Sequence, residues 1–396
     1  MAALSLLLLL LVMLGAAYTL FALVCVLAFF RAPRPCQTSA SAPGEPVPVS
    51  ILKPVKGIDP SASEGLLSFC LQDYPRYEVL FGFREGDDPA IPLVAHMVAT
   101  APCDGRLVVT EEGSGSNQKV VNLQGLVRES RYPLLAVSDS DMVVEGSYLS
   151  RIVAEFRQGK RTGMVTSLYK ISSPSSFGAA LESLDIALDF IPSVLVARRV
   201  EGVTFGLGAS MLLSREALCD IGGFGAVADY LADDYQLGFR LWQKGYENIL
   251  SRHVIENLVG RMSLRSHLLH QLRWARTYRA SRPKGFLGYG ITHVFPFALL
   301  LTCIGPDERS LAAMGIVLVL RYGLALALYR KVIAARGWLK WLFLVPLKDV
   351  LAFLVWLWSL CGSKVYWRGH YYRVVKGGKM VEIQRERAHS PLPPGG

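Results

Sequence analysis

Residues 4–30 are almost continuously apolar, and a chain with such a run has few ways to bury it. Roughly 20 apolar residues cross a bilayer core, so this stretch is long enough to span one. A secretory signal would have a shorter apolar core, a basic start and a small-residue cleavage site. Here the first basic residues, Arg31 and Arg34, come after the run. Residues 1–31 are therefore read as a retained transmembrane anchor, and the basic flank places the following domain in the cytoplasm. Apolar runs return at 289–304 and 311–328, split by Pro306, Asp307 and Glu308 and followed by Arg330, Lys331, Arg336 and Lys340. That pattern predicts a hairpin returning to the cytoplasm. A third run, 341–360, is interrupted by Pro346, Lys348 and Asp349, which leaves spanning, re-entrant and interfacial placements open.

The composition fits a chain that is part membrane and part globular. Of 396 residues, 52% are hydrophobic and 19% charged, against roughly 25% charged in an ordinary soluble domain. A small disulfide scaffold and a mainly disordered chain are both excluded. The net charge of +10 gathers beside the apolar runs, which suits an anionic membrane surface better than nucleic acid. The seven cysteines include no C-x-x-C pair, so neither a zinc knuckle nor a disulfide framework is indicated.

Residues 32–47, rich in Pro, Ser and Ala, read as a linker. Predicted strands at 49–55, 78–83, 106–110 and 133–138 then alternate with predicted helices at 63–71, 90–99 and 119–129. Such alternation implies βαβ units and a mostly parallel sheet, an α/β domain over 48–262. An amphipathic helix at 263–285 is expected to lie in the interface, with Arg276, Arg279 and Arg282 continuing its basic stripe. Membrane helices follow over 286–362, then a basic tail over 363–396.

The chemistry-bearing residues cluster at predicted strand ends, where open α/β sheets bind ligands. Asp139 and Asp141 form a D-x-D after one strand, and two such carboxylates can approach one Mg²⁺ together with substrate phosphates. Asp87 and Asp88 follow another strand, although Pro89 also allows a simple Asp-Pro turn. Lys53 and Lys56 end the first strand, and Lys119 opens a helix behind Asn117, the arrangement of an anion site. Asp233 and Asp234 stand at a helix start; one can be a capping acid and the other a general base. His270, Arg273 and Trp274 share one helical face, a guanidinium for phosphate and an indole for a sugar or lipid head group. His267 and His270 make an H-x-x-H, but no third ligand stands at a zinc-site spacing.

Taken in order, 52–57 (LKPVKG), 72–75 (QDYP), 87–90 (DDPA), the Asp139 segment, 232–235 (ADDY) and Arg273-Trp274 resemble the ceramide glucosyltransferase family of GT-A glycosyltransferases. The resemblance covers about 48–300 together with the anchor and the C-terminal membrane layout. The family pattern is D, D, D, (Q/R)xxRW. It implies Asp88 and Asp139 in the nucleotide-sugar site with Lys53, Lys119 and Arg273, and Asp234 as catalytic base. It also implies His270 and Trp274 toward acceptor or sugar, and Mg²⁺ or Mn²⁺ at Asp139 and Asp141. His270 stands where the pattern has Gln or Arg. That departure and the full D-x-D are closer to a bacterial branch that includes the hopanoid-pathway enzyme.

The resulting expectation is an inverting hexosyltransferase integral to a bacterial inner membrane, with its catalytic domain on the cytoplasmic side. It would move glucose or N-acetylglucosamine from a UDP-sugar to a hydroxyl of ceramide, a hopanoid or a glycerolipid. Two other readings share these elements. A processive polysaccharide synthase would need a larger membrane portion to form a channel. A non-catalytic nucleotide-sugar binding protein would be expected to lack one of Asp139, Asp234 or Arg273.

Overall fold

The computed structural model describes residues 2–31, 45–57, 62–110, 113–159, 161–367 and 370–383. Most of the expected linker, and the tail past 383, lie outside the described residues. The helices are α1 (Ala2–Arg31), α2 (Ala62–Cys70), α3 (Ile91–Thr100), α4 (Gln118–Glu129), α5 (Tyr148–Phe156), α6 (Phe177–Asp185), α7 (Ile191–Glu201), α8 (Arg215–Asp220), α9 (Asp233–Gln243), α10 (Leu264–Ser281), α11 (Pro283–Tyr289), α12 (Val294–Ile304), α13 (Glu308–Leu328) and α14 (Val345–Ser359). The strands are β1 (Val49–Pro54), β2 (Tyr77–Phe83), β3 (Asp104–Val109), β4 (Leu134–Val137), β5 (Met142–Val143), β6 (Thr162–Lys170), β7 (Met211–Ser214), β8 (Glu247–Asn257), β9 (Lys364–Trp367), β10 (His370–Val374) and β11 (Met380–Glu382).

The main sheet has the order β3-β2-β1-β4-β7-β6-β8-β5. β1 and β4 are buried along their whole length, as expected of strands covered on both faces. Four neighbouring pairs are parallel, β3·β2, β2·β1, β1·β4 and β6·β8. Three are antiparallel, β4·β7, β7·β6 and β8·β5. The βαβ alternation thus sets the parallel half. The antiparallel half arises because β7 returns between β4 and β6 after the long helical excursion of α6 and α7.

That excursion is one rod with a π-helical turn at Ile186–Phe190. Pro192 lies just beyond it and lacks the N–H that would donate to the Leu188 carbonyl. Arg321 of α13 donates to that carbonyl at 3.4 Å instead. Widened turns of this kind shift the side chains that follow them. Here the rod carries Asp185 and Asp189 against Lys348 of α14, with Asp189 also against Arg321.

Three helical stretches are long and apolar enough to cross a membrane: Ala3–Arg31, Glu308–Ile333 and Arg336–Ser359. The pair Pro283–Thr292 and Val294–Ile304 is bent by 52°, the geometry of a broken span or a re-entrant loop. Leu8 and Val12 of α1 share a buried cluster with Val294, Phe297, Ala298 and Leu301 of α12 and Val317 of α13. Lys348 and Asp349, which interrupt the last apolar run, are buried among protein charges: Arg321 pairs with Asp349, and Lys348 with Asp189.

The tail is more than a basic extension. β9, β10 and β11 form an antiparallel sheet that docks on the loop before α9. Met380 N–H donates to the Asp229 carbonyl at 2.7 Å, and Leu231 N–H to that of Gly378 at 3.3 Å. The tail and the α/β domain therefore share one side of any membrane, and an even number of crossings must separate α10 from β9. The bent α11–α12 pair, α13 and the Arg336–Ser359 stretch are the three candidates for those crossings, and an even count admits two of them. The arginine stripe expected along 263–285 is bound within the protein. Arg276 and Arg279 bind carbonyls at 360–364, just past α14, and Arg282 pairs with Glu201.

Candidate active site

The site forms where β1, β2 and β4 end and α4 and α9 begin. Asn117 caps α4, its side-chain oxygen accepting from the Lys119 and Val120 N–H groups. Its amide nitrogen donates to the Tyr230 carbonyl at 2.8 Å and to Asp233 Oδ1 at 3.2 Å. One residue thus ends a loop, starts a helix and ties α4 to the acidic turn. Lys119 Nζ lies 2.6 Å from Asp139 Oδ1 and 3.7 Å from Asp233 Oδ2. Burial opposes the charge on Lys119, but Asp139 and Asp233 outweigh it and hold its pKa above the ordinary lysine range.

Asp234 is partly exposed while Asp233 is buried. Asp234 Oδ2 accepts from the Gly208 N–H at 2.7 Å and Oδ1 from the Tyr235 N–H at 2.8 Å. Burial, then the neighbouring Asp233 charge, push the Asp234 pKa up to about 6. Asp233 does not cap the helix, as a first-turn acid would be expected to. Its carboxylate is taken by Asn117 and Lys119, and no side-chain cap is present at Ala232.

Gly208 marks the point of convergence. A Cβ there would sit 3.2 Å from Asp234 Oδ2, 3.4 Å from Lys119 Nζ and 3.5 Å from Asp139 Oδ2. Gly206 and Gly238 are pressed together just behind, bringing the 205–208 loop onto α9. Neither glycine stood out as a site residue in the sequence, although T-F-G-L-G is a visible signal of close backbone approach.

The D-x-D turn rests on Lys53. This lysine is fully buried and donates to the Asp139 carbonyl at 2.5 Å, with its ammonium 3.8 Å over the Phe69 ring. Burial lowers its pKa to about 7 against the pull of Asp139 and Asp141. The sequence suggests a lysine facing phosphate; the structure makes it a pin beneath the acids. Asp88 likewise turns to backbone. It accepts from the Gly57 N–H at 2.9 Å and the Ala90 N–H at 2.9 Å, clasping the ends of β1 and β2.

Asp139 and Asp141 fit a divalent cation. Burial, then the Asp139 charge, raise the Asp141 pKa, a like-charge pair that a cation would relieve. Asn257 orients Asp141 Oδ2 at 3.2 Å. The described residues hold no cluster of three or more His, Cys, Asp or Glu able to bind a metal. Mg²⁺-type sites take one or two carboxylates plus substrate phosphates and water.

His270 and Trp274 sit on α10, their ring centroids 4.8 Å apart, with Arg273 half-buried beside them. Trp274 meets Phe190 at 6.1 Å, and Phe190 meets Tyr169 at 5.1 Å. Burial, then Glu182, Asp141, Asp139 and Asp234, push the Tyr169 hydroxyl well above its usual range. Tyr169 thus ends a run of aromatic contacts that starts at Trp274. It and Glu182 belong to no motif in the sequence, so a motif search passes over both.

An eight-stranded mixed sheet with convergent acids at its strand ends, joined to membrane-length helices, defines the class: a membrane glycosyltransferase of GT-A type. Across residues 7–380 the chain matches the model for Glycosyl transferase family 21, and it belongs to that family. It is 25% identical to ceramide glucosyltransferase 3 of Caenorhabditis elegans over 89% of this chain and 77% of that protein. It is 28% identical to ceramide glucosyltransferase 1 of the same organism over 58% of this chain and 50% of that protein. Among solved structures it resembles a mannosyltransferase, PcManGT from Pyrobaculum calidifontis in complex with GDP-Man and Mn²⁺. The TM-score is 0.54 at 19% identity, covering 90% of this chain and 99% of that one. That likeness speaks to the fold.

Proposed function

We propose that the protein transfers a hexose from a UDP-sugar to a hydroxyl of a membrane lipid, with inversion at the anomeric carbon. The observation that carries this reading is the convergence of Asp234, Lys119 and Asp139 around Gly208. A partly exposed carboxylate with a raised pKa stands there beside a cation and a D-x-D. Asp234 accepts the proton of the acceptor hydroxyl as its oxygen bonds to the anomeric carbon and the bond to UDP breaks. A single displacement of this kind needs no protein nucleophile. Gly208 N–H keeps Asp234 oriented, and Asn117 and Asp233 keep Lys119 beside the donor diphosphate. Mg²⁺ or Mn²⁺ held by Asp139 and Asp141 would neutralise charge on the departing diphosphate.

The acceptor is a lipid of ceramide type, supported by the family and by the membrane helices packed against the catalytic domain. The α/β domain faces the cytoplasm, since Arg31 ends α1 on that side, and a bacterial inner membrane suits the branch it resembles. The test is to incubate purified protein with UDP-glucose, UDP-N-acetylglucosamine and UDP-galactose against ceramide, diacylglycerol and hopanoid, and to identify products by mass spectrometry. A single-sugar glycolipid supports the reading. A polymer, or saturable UDP-sugar binding without any product, ends it.

A further inference from the structure

Glu182 is a carboxylate on α6 with 1% of its surface exposed. Burying an unpaired carboxylate is strongly unfavourable, so its partners reveal what the site has to hold. Among the described residues, its hydrogen-bond partners lie on α10. Oε2 accepts from His267 Nδ1 at 2.8 Å and from Gln271 Nε2 at 3.0 Å, and Oε1 from His270 Nδ1 at 2.9 Å. Residues 267, 270, 271 and 274 follow the i, i+3, i+4, i+7 spacing of one helical face. The Glu182 contacts therefore end one turn before Trp274.

The two helices are also fastened at their starts. Ser176 Oγ donates to the Met262 carbonyl at 3.0 Å and accepts from its N–H at 2.9 Å. Gly178 leaves no room for a Cβ against the Met262 and Ser263 carbonyls. On its far side, His267 Nε2 meets Asp185 Oδ2 at 3.2 Å, and Asp185 faces Lys348 of α14 at 3.4 Å. Held between two carboxylates, His267 is an imidazolium; burial alone would favour its neutral form.

We propose that Glu182 is a positioning residue for sugar transfer, acting through His270: its buried carboxylate fixes the imidazole, and with it the Trp274 ring packed against it. The inference rests on the glycosyltransferase reading of the site. It also accounts for the residue at position 270. Gln, Arg and His share a side-chain N–H donor, and Glu182 is the acceptor that any of them would meet. A carboxylate that accepts at Nδ1 keeps a proton there and turns Nε2 away from Glu182.

The experiment is a double-mutant cycle on the full-length protein in nanodiscs, using a UDP-sugar and lipid that the wild type converts. Glu182→Gln keeps the shape and removes the charge. It is expected to lower kcat by about 10- to 100-fold, the scale of a misplaced contact group, while UDP affinity by calorimetry stays within about twofold. In a His270→Ala background, Glu182→Gln should cost less than about threefold more, because the group it positions is already gone. Losses that multiply across the cycle, or UDP affinity falling in step with kcat, would overturn the proposal. Should Glu182→Gln not be monodisperse, Glu182→Asp runs the same cycle, keeping the charge and withdrawing the oxygens. A wild type that transfers no sugar ends the glycosyltransferase reading and this one together. An active wild type with multiplicative variants ends this one alone.

Discussion

Replacing Asp234 with Asn separates proton transfer from donor binding. The amide oxygen of Asn can still accept from the Gly208 N–H now bound at 2.7 Å, but the nitrogen faces the Tyr235 N–H at 2.8 Å, donor against donor. One strained contact at a partly exposed group costs about 1–3 kcal/mol of stability, which leaves the fold in place. A lost general base costs about 10²–10⁴ in rate, so kcat should drop by that factor while UDP affinity barely moves. Asp233→Asn should behave in the opposite way. Its carboxylate lies 3.7 Å from Lys119 Nζ, a pair worth at most roughly 4 kcal/mol at an effective dielectric near 20. Asp139 at 2.6 Å retains Lys119, so we expect a smaller effect, about tenfold on UDP-sugar affinity. The free-enzyme kcat/KM profile should fall below about pH 6, where Asp234 takes up its proton. The assay is radiolabelled sugar transfer over pH 5–8, paired with UDP calorimetry. If Asp234→Asn loses UDP binding as steeply as turnover, or if Asp233→Asn alone abolishes kcat, the base is misassigned.

Other consequences follow from single contacts. Asp139→Asn and Asp141→Asn should each abolish the Mg²⁺- or Mn²⁺-dependent part of turnover without lowering the melting temperature; full activity in EDTA would refute the metal role. Gly208→Ala places a methyl group 3.2–3.5 Å from Asp234, Lys119 and Asp139. It should fold normally and lose about 10² in kcat/KM, so wild-type kinetics would show that these groups do not act together. His267 has its pKa raised to about 9 in the fold, because hydrogen bonds and charge from Asp185 and Glu182 outweigh its burial. The unfolded value is about 6.5, so its stabilisation is complete below that pH and is lost as pH rises through 9, by up to about 3 kcal/mol. Thermal unfolding from pH 6.5 to 9.5 should show this decline, and His267→Gln should flatten it. The depressed Glu182 pKa is the same interaction seen from the carboxylate and adds nothing further.

What was legible in the sequence is what short-range pattern encodes. Apolar runs gave the membrane-length helices, since a run needs no partner to be recognised. Alternating strand and helix segments placed Asp88, Asp139 and Asp141 at strand ends, because local periodicity fixes where an element stops. Long-range pairing gave the rest. β7 inserts antiparallel between β4 and β6 only because the α6–α7 rod carries the chain away and back. Lys53 reads like a phosphate ligand, but its strand is covered on both faces, so its ammonium meets a carbonyl and a phenyl ring. Arg276 and Arg279 read as part of a membrane stripe, yet the end of α14 lies within reach and the carbonyls at 360–364 take them. Glu182, Asp185 and Asp189, at i, i+3 and i+7 in an apolar segment, were a periodic signal open to any reader. Their partners His267, His270, Lys348 and Arg321 are about 80 to 160 residues away in sequence. A buried charge is tolerable only beside its counter-charge, and which counter-charge that is depends on helices brought together by packing. Sequence order alone does not bring them together.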